Sequence, residues 1–255
     1  MDLLNHLSNT LDKFNSTQYN FLYIYSDLRY FGRFKPISIS KQAFLKSILD
    51  CLTLENKTII IPTFTYTDSG IFDVQRTNTH LGALNSAVLQ NNDTNRSEHP
   101  IFSYAAIGKE SNLVKKIGKS AFGIDCIHER LLNKKSAFLY LGRPVSFGNT
   151  IIHYVEQSLN VSYRFEKYFP TNVYDQDEFV GNNYSAFVRK KNDSKNDFAF
   201  SFEKAADVLL KQGLIQQINL DHDFSNISLM PYEETFDVLR NLLLQNESIF
   251  LRKPV

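Results

Sequence analysis

Two uninterrupted apolar segments constrain the fold of this 255-residue chain more than any other feature. The first spans residues 58–61 and is followed by a proline, and the second spans residues 137–141 and is followed by a glycine. Short apolar runs without polar alternation are typical of central strands covered on both faces. A further strand is predicted at 21–25, and Ser40 is placed to cap a helix between that strand and residues 58–61. This strand–helix–strand order predicts an α/β fold with a central mixed β-sheet flanked by helices.

Composition excludes several classes of protein. Hydrophobic residues make up 43% and charged residues 22% of the chain, which is ordinary for a soluble globular protein and excludes wholesale disorder. No apolar run approaches the ~20 residues needed to span a bilayer, and no basic segment precedes an apolar core at the N-terminus. A net charge of +1 leaves no electrostatic footprint for nucleic acid. We therefore expect a cytoplasmic protein without membrane or nucleic-acid partners.

The organisation of the chain indicates one domain over residues 1–255, because it contains neither an internal repeat nor a low-complexity linker. Residues 67–98 form a long polar segment, and 190–197 are expected to form a flexible excursion. Apolar spacing predicts helices at 2–14, 40–52, 83–89, 111–117, 126–132, 202–212 and 233–245, and a strand at 103–107.

The segment from Thr150 to Glu156 carries the most chemistry. Thr150, His153 and Glu156 follow each other at intervals of three residues, which places their side chains on one face of a helix. A hydroxyl, an imidazole and a carboxylate are the groups that acyl transfer to an amine requires. A lone histidine on a helix is nevertheless more often structural than catalytic.

Three other segments carry groups able to contact a ligand, and each also has a purely structural interpretation. Residues 25–32 form a strand-to-turn segment in which Arg29 offers a cation to phosphate, or a solvated charge in an ordinary turn. In residues 96–108, Pro100 holds His99 in an extended conformation, and small residues leave room for a slender ligand or for tight packing. In residues 161–167, Arg164 and Lys167 either bind an anionic group or belong to a solvated, charged strand edge.

Together these segments resemble the aminoglycoside 3-N-acetyltransferase family of acyl-CoA-dependent enzymes. The resemblance covers residues 20 to about 170 and rests on five motifs in the same order. They are the turn Tyr25-Ser26-Asp27-Leu28 up to Gly32, the strand end Ile61-Pro62-Thr63-Phe64, the signature Arg96, Ser97, His99, Pro100, Ser103, Ala106 and Gly108, the segment from Asn149 to Glu156, and the pair Tyr163-Arg164.

The resemblance implies a set of roles. His153 would be the base that deprotonates the acceptor amine, Glu156 would orient it, and Thr150 would assist the departing thiolate. No metal is required, because a thioester is already activated. The acyl-CoA donor is expected to contact Ser26, Asp27, Leu28, Arg29, Arg96, Ser97, His99 and Ser103, and the acceptor to contact Tyr25, Phe64, Tyr163 and Arg164.

Charge favours one acceptor over another. Aminoglycosides are polycations that call for an acidic site, whereas this chain has 28 Lys and Arg against 27 Asp and Glu. Its 13 tyrosines and 21 phenylalanines offer stacking surfaces for a base. The turn also departs from the family pattern, with Tyr25 and Asp27 in place of the usual histidine and second serine. Residues 122–123 and 150–156 look more similar to family members from surface-polysaccharide pathways.

We therefore expect transfer of an acetyl or 3-hydroxybutanoyl group from CoA to a nucleotide-linked (dTDP) deoxyamino sugar, such as a 3-amino-3,6-dideoxyhexose. The alternatives are an aminoglycoside 3-N-acetyltransferase that confers antibiotic resistance, and a catalytically silent binding protein of the same fold. Residues 170–255 would cover the acceptor or form a subunit interface, and the oligomeric state stays open.

Overall fold

The structure is a computed structural model that describes residues 3–29, 38–53, 56–147, 149–190, 199–219 and 226–252. Its α-helices are α1 (Leu3–Lys13), α2 (Lys41–Leu52), α3 (Ala83–Val88), α4 (Ile127–Leu131), α5 (Ile151–Ser158), α6 (Glu203–Lys211) and α7 (Tyr232–Gln245). Its strands are β1 (Phe21–Ser26), β2 (Thr58–Pro62), β3 (Gly70–Asp73), β4 (Asn95–Arg96), β5 (Tyr104–Gly108), β6 (Ser136–Leu141), β7 (Arg164–Phe169), β8 (Thr171–Asp175), β9 (Glu178–Gly181), β10 (Tyr184–Arg189), β11 (Ala199–Phe200), β12 (Gln216–Asn219), β13 (Asn226–Pro231) and β14 (Leu251–Arg252).

A seven-stranded sheet in the order β12-β13-β6-β1-β2-β5-β4 forms the centre of the fold. β1 runs parallel to both β2 and β6, while β5 and β13 pair antiparallel outside them. Every residue of β2 and β6 is buried, as expected for strands covered on both faces. The predicted α/β fold with a central mixed sheet and flanking helices is confirmed.

Alternate side chains of each central strand enter two different cores. On one face, which we call the site face, Tyr23 and Tyr25 of β1 join a core that includes α5 and α7. On the opposite face, Leu22 and Ile24 join a core that includes α1, α2 and α3. This alternation follows from the two-residue period of a strand, and it sends the tyrosines of β1 toward α5.

Local signals predict most helices well. Ser40 caps α2, and its side chain accepts a hydrogen bond from the backbone N–H of Ala43 at 3.1 Å. The predicted helix over 111–117 is wrong, because only a 3₁₀ helix forms at Ser111–Val114 and Lys116 then adopts a left-handed φ of 50°.

The long polar segment 67–98 contains two strands that the sequence does not reveal. β3 pairs parallel with β8, about a hundred residues away in the chain, and the two-residue β4 adds an edge to the central sheet. From the last third of the chain, β12 and β13 extend the central sheet and α7 packs against α5. Two expectations lie outside the described residues: the end of the first turn at Gly32, and the excursion at 191–197.

Within the described ranges, no helix is long and apolar enough to cross a membrane. The same residues contain no group of three or more His, Cys, Asp or Glu side chains arranged to hold a metal ion.

Candidate active site

Helix α5 positions the histidine and the carboxylate of the predicted triad. Thr150 is its N-cap residue, and His153 and Glu156 lie one turn apart on the side that faces β7. The side chain of Glu156 is completely buried, whereas that of His153 is 24% exposed. The imidazole therefore lies where a ligand can reach it, with its carboxylate behind it.

Three side chains converge on the carboxylate of Glu156. Its Oε2 lies 2.7 Å from His153 Nδ1 and 2.7 Å from Arg164 Nε, while its Oε1 accepts a hydrogen bond from the Tyr163 hydroxyl at 2.8 Å. Arg164 also donates to the Phe187 carbonyl at 3.1 Å, which fixes its guanidinium. Tyr163 and Arg164 were expected to contact the acceptor. In the structure, the Tyr163 hydroxyl and the Arg164 guanidinium contact Glu156 instead.

The charge of Glu156 is maintained despite its burial. Burial alone would raise the pKa of this carboxyl, but the hydrogen bond and charge of His153, the charge of Arg164 and the hydrogen bond of Tyr163 together lower it. A carboxylate accepts but cannot donate, so the His153 Nδ1 that faces it carries the proton. The other ring nitrogen, Nε2, is then the one with a free lone pair.

Arg164 Nη2 also lies 3.1 Å from His153 Nδ1. With the proton on Nδ1, this contact is a close approach of two donors that share the Glu156 carboxylate. The guanidinium thus places a positive charge beside the ring and next to the negative charge of Glu156.

The Thr150 hydroxyl faces β1 and lies in a network of buried hydroxyl and imidazole groups. Its Oγ1 is 2.9 Å from Tyr23 Oη, 2.8 Å from Tyr25 Oη and 3.1 Å from His128 Nε2. Tyr25 also accepts the Thr150 backbone N–H at 2.8 Å and donates to Asn149 Oδ1 at 3.0 Å. Tyr25, expected at the acceptor, therefore holds Thr150 and the start of α5.

His128 is a member of this network that sequence reasoning missed. It is fully buried on α4, and rings of Phe122, Tyr23 and Tyr232 stack on it. Burial, with a smaller effect of His153, lowers the pKa of His128 to about 3, so it is neutral at physiological pH. The one signal in the sequence is that His128, a polar residue, lies between apolar residues of α4 that pack into the core.

The segment 96–108 forms a structural junction. Arg96 is buried and donates to three backbone carbonyls, those of Val74, Thr77 and Thr63. Burial lowers the pKa of Arg96 to about 10. His99 is also buried: Nε2 donates to the Ser185 carbonyl at 2.8 Å, and Nδ1 accepts two backbone N–H groups.

Other members of this segment serve the same junction. The Ser97 hydroxyl accepts the Tyr104 backbone N–H at 2.8 Å, and the Ser103 hydroxyl donates to the Thr63 carbonyl at 2.6 Å. Gly108 has a φ of 118°, and a Cβ there would collide with the backbone of Lys57. The four polar residues expected at the cofactor, Arg96, Ser97, His99 and Ser103, thus use their polar atoms inside the protein.

The turn after β1 lies at the carboxyl end of the parallel strands, where α/β sheets place their ligands. Ser26, Asp27 and Leu28 are half-buried and Arg29 is exposed, with Asp27 and Arg29 joined by an ion pair. The ion pair and hydrogen bonds from Arg29 lower the pKa of Asp27. Arg143, which follows β6 at the same edge, places its guanidinium 5.8 Å from the centre of the Tyr25 ring.

Aromatic rings extend from His153 along the site face. Ring centres are 5.2 Å apart for His153 and Phe122, 4.9 Å for Phe122 and Phe102, and 6.1 Å for Phe102 and Tyr66. Tyr66 is 54% exposed, whereas Phe64, expected at the acceptor, is buried behind Phe102. The Tyr104 hydroxyl beside Tyr23 is buried without a hydrogen-bond partner among the described residues.

An open groove of about 960 Å³ lies between α2 and α3, on the opposite face of the sheet from His153. None of the predicted site residues lines it. The pair of His153 and Glu156, with Thr150 at the start of the same helix, defines the candidate active site rather than this groove.

The fold and the paired His153 and Glu156 at the ligand-binding edge of the sheet fit an enzyme of acyl transfer. The chain matches the family model described as aminoglycoside 3-N-acetyltransferase over residues 24–243. Because the match covers most of the chain, the chain belongs to this family and is an acyl-CoA-dependent N-acetyltransferase. No curated protein sequence matches it.

Solved structures share the fold at low identity. The apoenzyme of aminoglycoside acetyltransferase AAC(3)-IVa is 18% identical with a TM-score of 0.75, and the match covers 98% of this chain and 92% of that one. AAC-VIa bound to sisomicin is 17% identical with a TM-score of 0.76, covering 94% and 96%. YokD from Bacillus subtilis is 17% identical with a TM-score of 0.67, covering 90% and 88%.

The buried histidines predict loss of stability in acid. Burial lowers the pKa of His99 from 6.5 to about 4 and that of His128 to about 3, so below pH 6.5 the unfolded chain binds more protons than the folded one. We expect the free energy of unfolding to fall by about 2 kcal/mol between pH 6 and pH 5 from the two together. Denaturant titrations at pH 5, 6 and 7 measure this.

The variant His99→Gln should remove about half of that slope, since it removes one of the two groups. A free energy of unfolding that is constant from pH 7 to pH 5 in the unmodified protein would contradict the prediction.

Proposed function

We propose that this protein transfers an acetyl group from acetyl-CoA to the amine of a nucleotide-linked deoxyamino sugar, with His153 as general base. The observation that carries the proposal is the His153–Glu156 pair, in which the carboxylate holds the Nδ1 proton and leaves Nε2 free. Since the His153 side chain is 24% exposed, this lone pair can accept a proton from an approaching amine.

The reaction needs one proton transfer in each direction. As the neutral acceptor amine attacks the thioester carbon and the carbon–nitrogen bond forms, His153 Nε2 takes one proton from the nitrogen. The resulting oxyanion needs a hydrogen-bond donor, and Thr150 is the hydroxyl at this edge of the sheet. When the carbon–sulfur bond breaks, the proton returns from His153 to the CoA thiolate, so the enzyme ends the cycle unchanged.

The charges around His153 support an acceptor that is not a polycation. Glu156, the carboxylate in contact with His153, is neutralised by Arg164. A binder of several ammonium groups would need unpaired carboxylates at this position. The exposed ring of Tyr66, with the half-buried ring of Phe102 beside it, suits the apolar face of a deoxy sugar or a base.

The position of Arg143 favours an acceptor that carries a diphosphate, such as a nucleotide sugar. Its guanidinium lies over the Tyr25 ring, whose hydroxyl contacts Thr150, so this cation is one aromatic ring away from the proposed acyl site. The Arg143 Nε is buried without a hydrogen-bond partner among the described residues. In a nucleotide-linked amino sugar, only the sugar ring separates the amine from the diphosphate, which matches the short distance between Arg143 and the acyl site. In acyl-CoA, the long pantetheine arm separates the diphosphate from the thioester, so Arg143 suits the diphosphate of the sugar nucleotide better.

The second candidate is acetylation of an aminoglycoside, which the family itself favours. Release of CoA thiol separates the two when kanamycin-type drugs and dTDP-amino sugars are offered with acetyl-CoA in parallel, with 3-hydroxybutanoyl-CoA as a second donor. We expect turnover on a sugar nucleotide. Rapid turnover on the drugs with none on any sugar nucleotide would reverse the assignment. The cytoplasm, where both CoA and nucleotide sugars are made, is the compartment this function requires.

The variant Arg143→Ala should raise the KM for the sugar nucleotide about tenfold or more, because a charge-assisted contact to phosphate is lost. The KM for acetyl-CoA should stay unchanged, as should the KM for the same amino sugar without its diphosphate. Arg76→Ala, which removes an arginine that is 67% exposed and paired with Asp73 and Asp177, is the matched control. A raised KM for acetyl-CoA alone would show that Arg143 contacts the diphosphate of the CoA donor instead.

A further inference from the structure

His128 is a completely buried titratable group beside Thr150, and the proposed reaction does not use it. Its side chain is closed off from solvent, yet both of its ring nitrogens face hydroxyl groups. Nε2 lies 3.1 Å from Thr150 Oγ1, and Nδ1 lies 2.5 Å from Tyr232 Oη.

We propose that His128 is a positioning residue that makes the Thr150 hydroxyl an obligate hydrogen-bond donor toward the transferred acyl group. This inference rests on the proposed function, because it gives Thr150 a role in that reaction. His128 does not touch the reacting atoms and acts through Thr150 alone.

The tautomer of His128 follows from Tyr232. Tyr232 is completely buried, and His128 is its hydrogen-bond partner among the described residues. If Tyr232 donates its proton to Nδ1, both groups are satisfied, whereas the reverse direction leaves a buried hydroxyl proton without an acceptor. His128 then carries its single proton on Nε2 and donates it to Thr150. Burial lowers the pKa of His128 to about 3, which keeps the ring neutral.

The remaining contacts of Thr150 complete the argument. Tyr25 donates to Asn149 Oδ1, so toward Thr150 it accepts, both from the backbone N–H and from the hydroxyl. Tyr23 and His128 occupy the two lone pairs of Thr150 Oγ1 as donors. The Thr150 proton is then the only one this hydroxyl can offer, and the oxyanion or thiolate would take the place of Tyr25 as its acceptor.

The test is a double-mutant cycle in kcat, measured by CoA thiol release with whichever acceptor of the panel is turned over. His128→Phe keeps an aromatic ring in the stack and removes the donor, so we expect kcat to fall about tenfold with the KM for acetyl-CoA within twofold. His128→Gln, which keeps an N–H donor, should recover most of the loss. Thr150→Val should lower kcat by about tenfold or more, and adding His128→Phe to it should cost less than a further twofold.

Additive losses in the double variant would overturn the proposal, since a merely structural role lowers kcat equally with and without the Thr150 hydroxyl. So would full activity of His128→Phe. If that variant does not fold, Tyr232→Phe asks the same question, because it removes only the hydroxyl that sets the tautomer, and its loss should again vanish in the Thr150→Val background. An unaffected Thr150→Val would overturn the role of Thr150 and this inference with it, while His153 as base stands or falls on its own variant.

Discussion

Replacing His153 by alanine should lower kcat by at least 100-fold while the KM for acetyl-CoA stays within about twofold. The reason is that general-base catalysis contributes a factor of 10² to 10⁴, and in the proposed reaction the ring takes its proton from the acceptor amine rather than binding the CoA moiety. His153 is partly exposed at the protein surface, so its removal leaves the hydrophobic cores intact. Steady-state release of CoA thiol, with a thermal melt to confirm folding, measures this.

His80→Ala is the matched control, because it makes the same chemical change at an exposed histidine before α3. It should keep the kcat of the unmodified enzyme. A His153→Ala variant with near-normal kcat would remove His153 as the base.

Glu156→Gln should lower kcat by about 10- to 100-fold, less than the loss of the imidazole itself. A glutamine amide can present its NH2 to His153 Nδ1, which then accepts and moves the ring proton to Nε2, the atom that must take the proton from the amine. The substitution also removes the negative charge 2.7 Å from Arg164 Nε in a completely buried position, so a lower melting temperature should accompany the loss.

The variant Glu156→Asp distinguishes the effect of the negative charge from the effect of side-chain length. It keeps the carboxylate but shortens the side chain, so it should restore the charge balance with Arg164 and recover part of the stability, while kcat stays low through a misplaced ring. Equal kcat for Glu156→Gln and the unmodified enzyme would show that the carboxylate does not set the tautomer of His153.

The sheet and the helices beside it could be predicted because their signals are local. Residues 59–61 and 137–141 are apolar throughout, and they lie in the two strands that flank β1. β3 could not be found in this way, because its partner strand β8 lies about a hundred residues further along the chain. β4 could not be found either, because a strand of two residues is too short to show a pattern. The helix expected at 111–117 fails at Lys116, whose left-handed backbone conformation no spacing rule reveals.

The same distinction applies to the site. His153 and Glu156 are one helical turn apart, so spacing alone brings them together. The contacts of Thr150 with Tyr23, Tyr25 and His128 join residues 22 to 127 positions apart, and each of these side chains is unremarkable in its own segment. Motif matching also cannot tell that a signature such as 96–108 serves the fold, since Arg96 and His99 are as recognisable when they bind backbone carbonyls as when they bind a ligand.

The most direct measurement is a crystal structure of the protein with CoA and a dTDP-amino sugar bound together. The account predicts the sugar amine within about 3 Å of His153 Nε2, the CoA sulfur beside Thr150, and the diphosphate against Arg143. An amine bound away from His153, for example in the groove between α2 and α3, would contradict it.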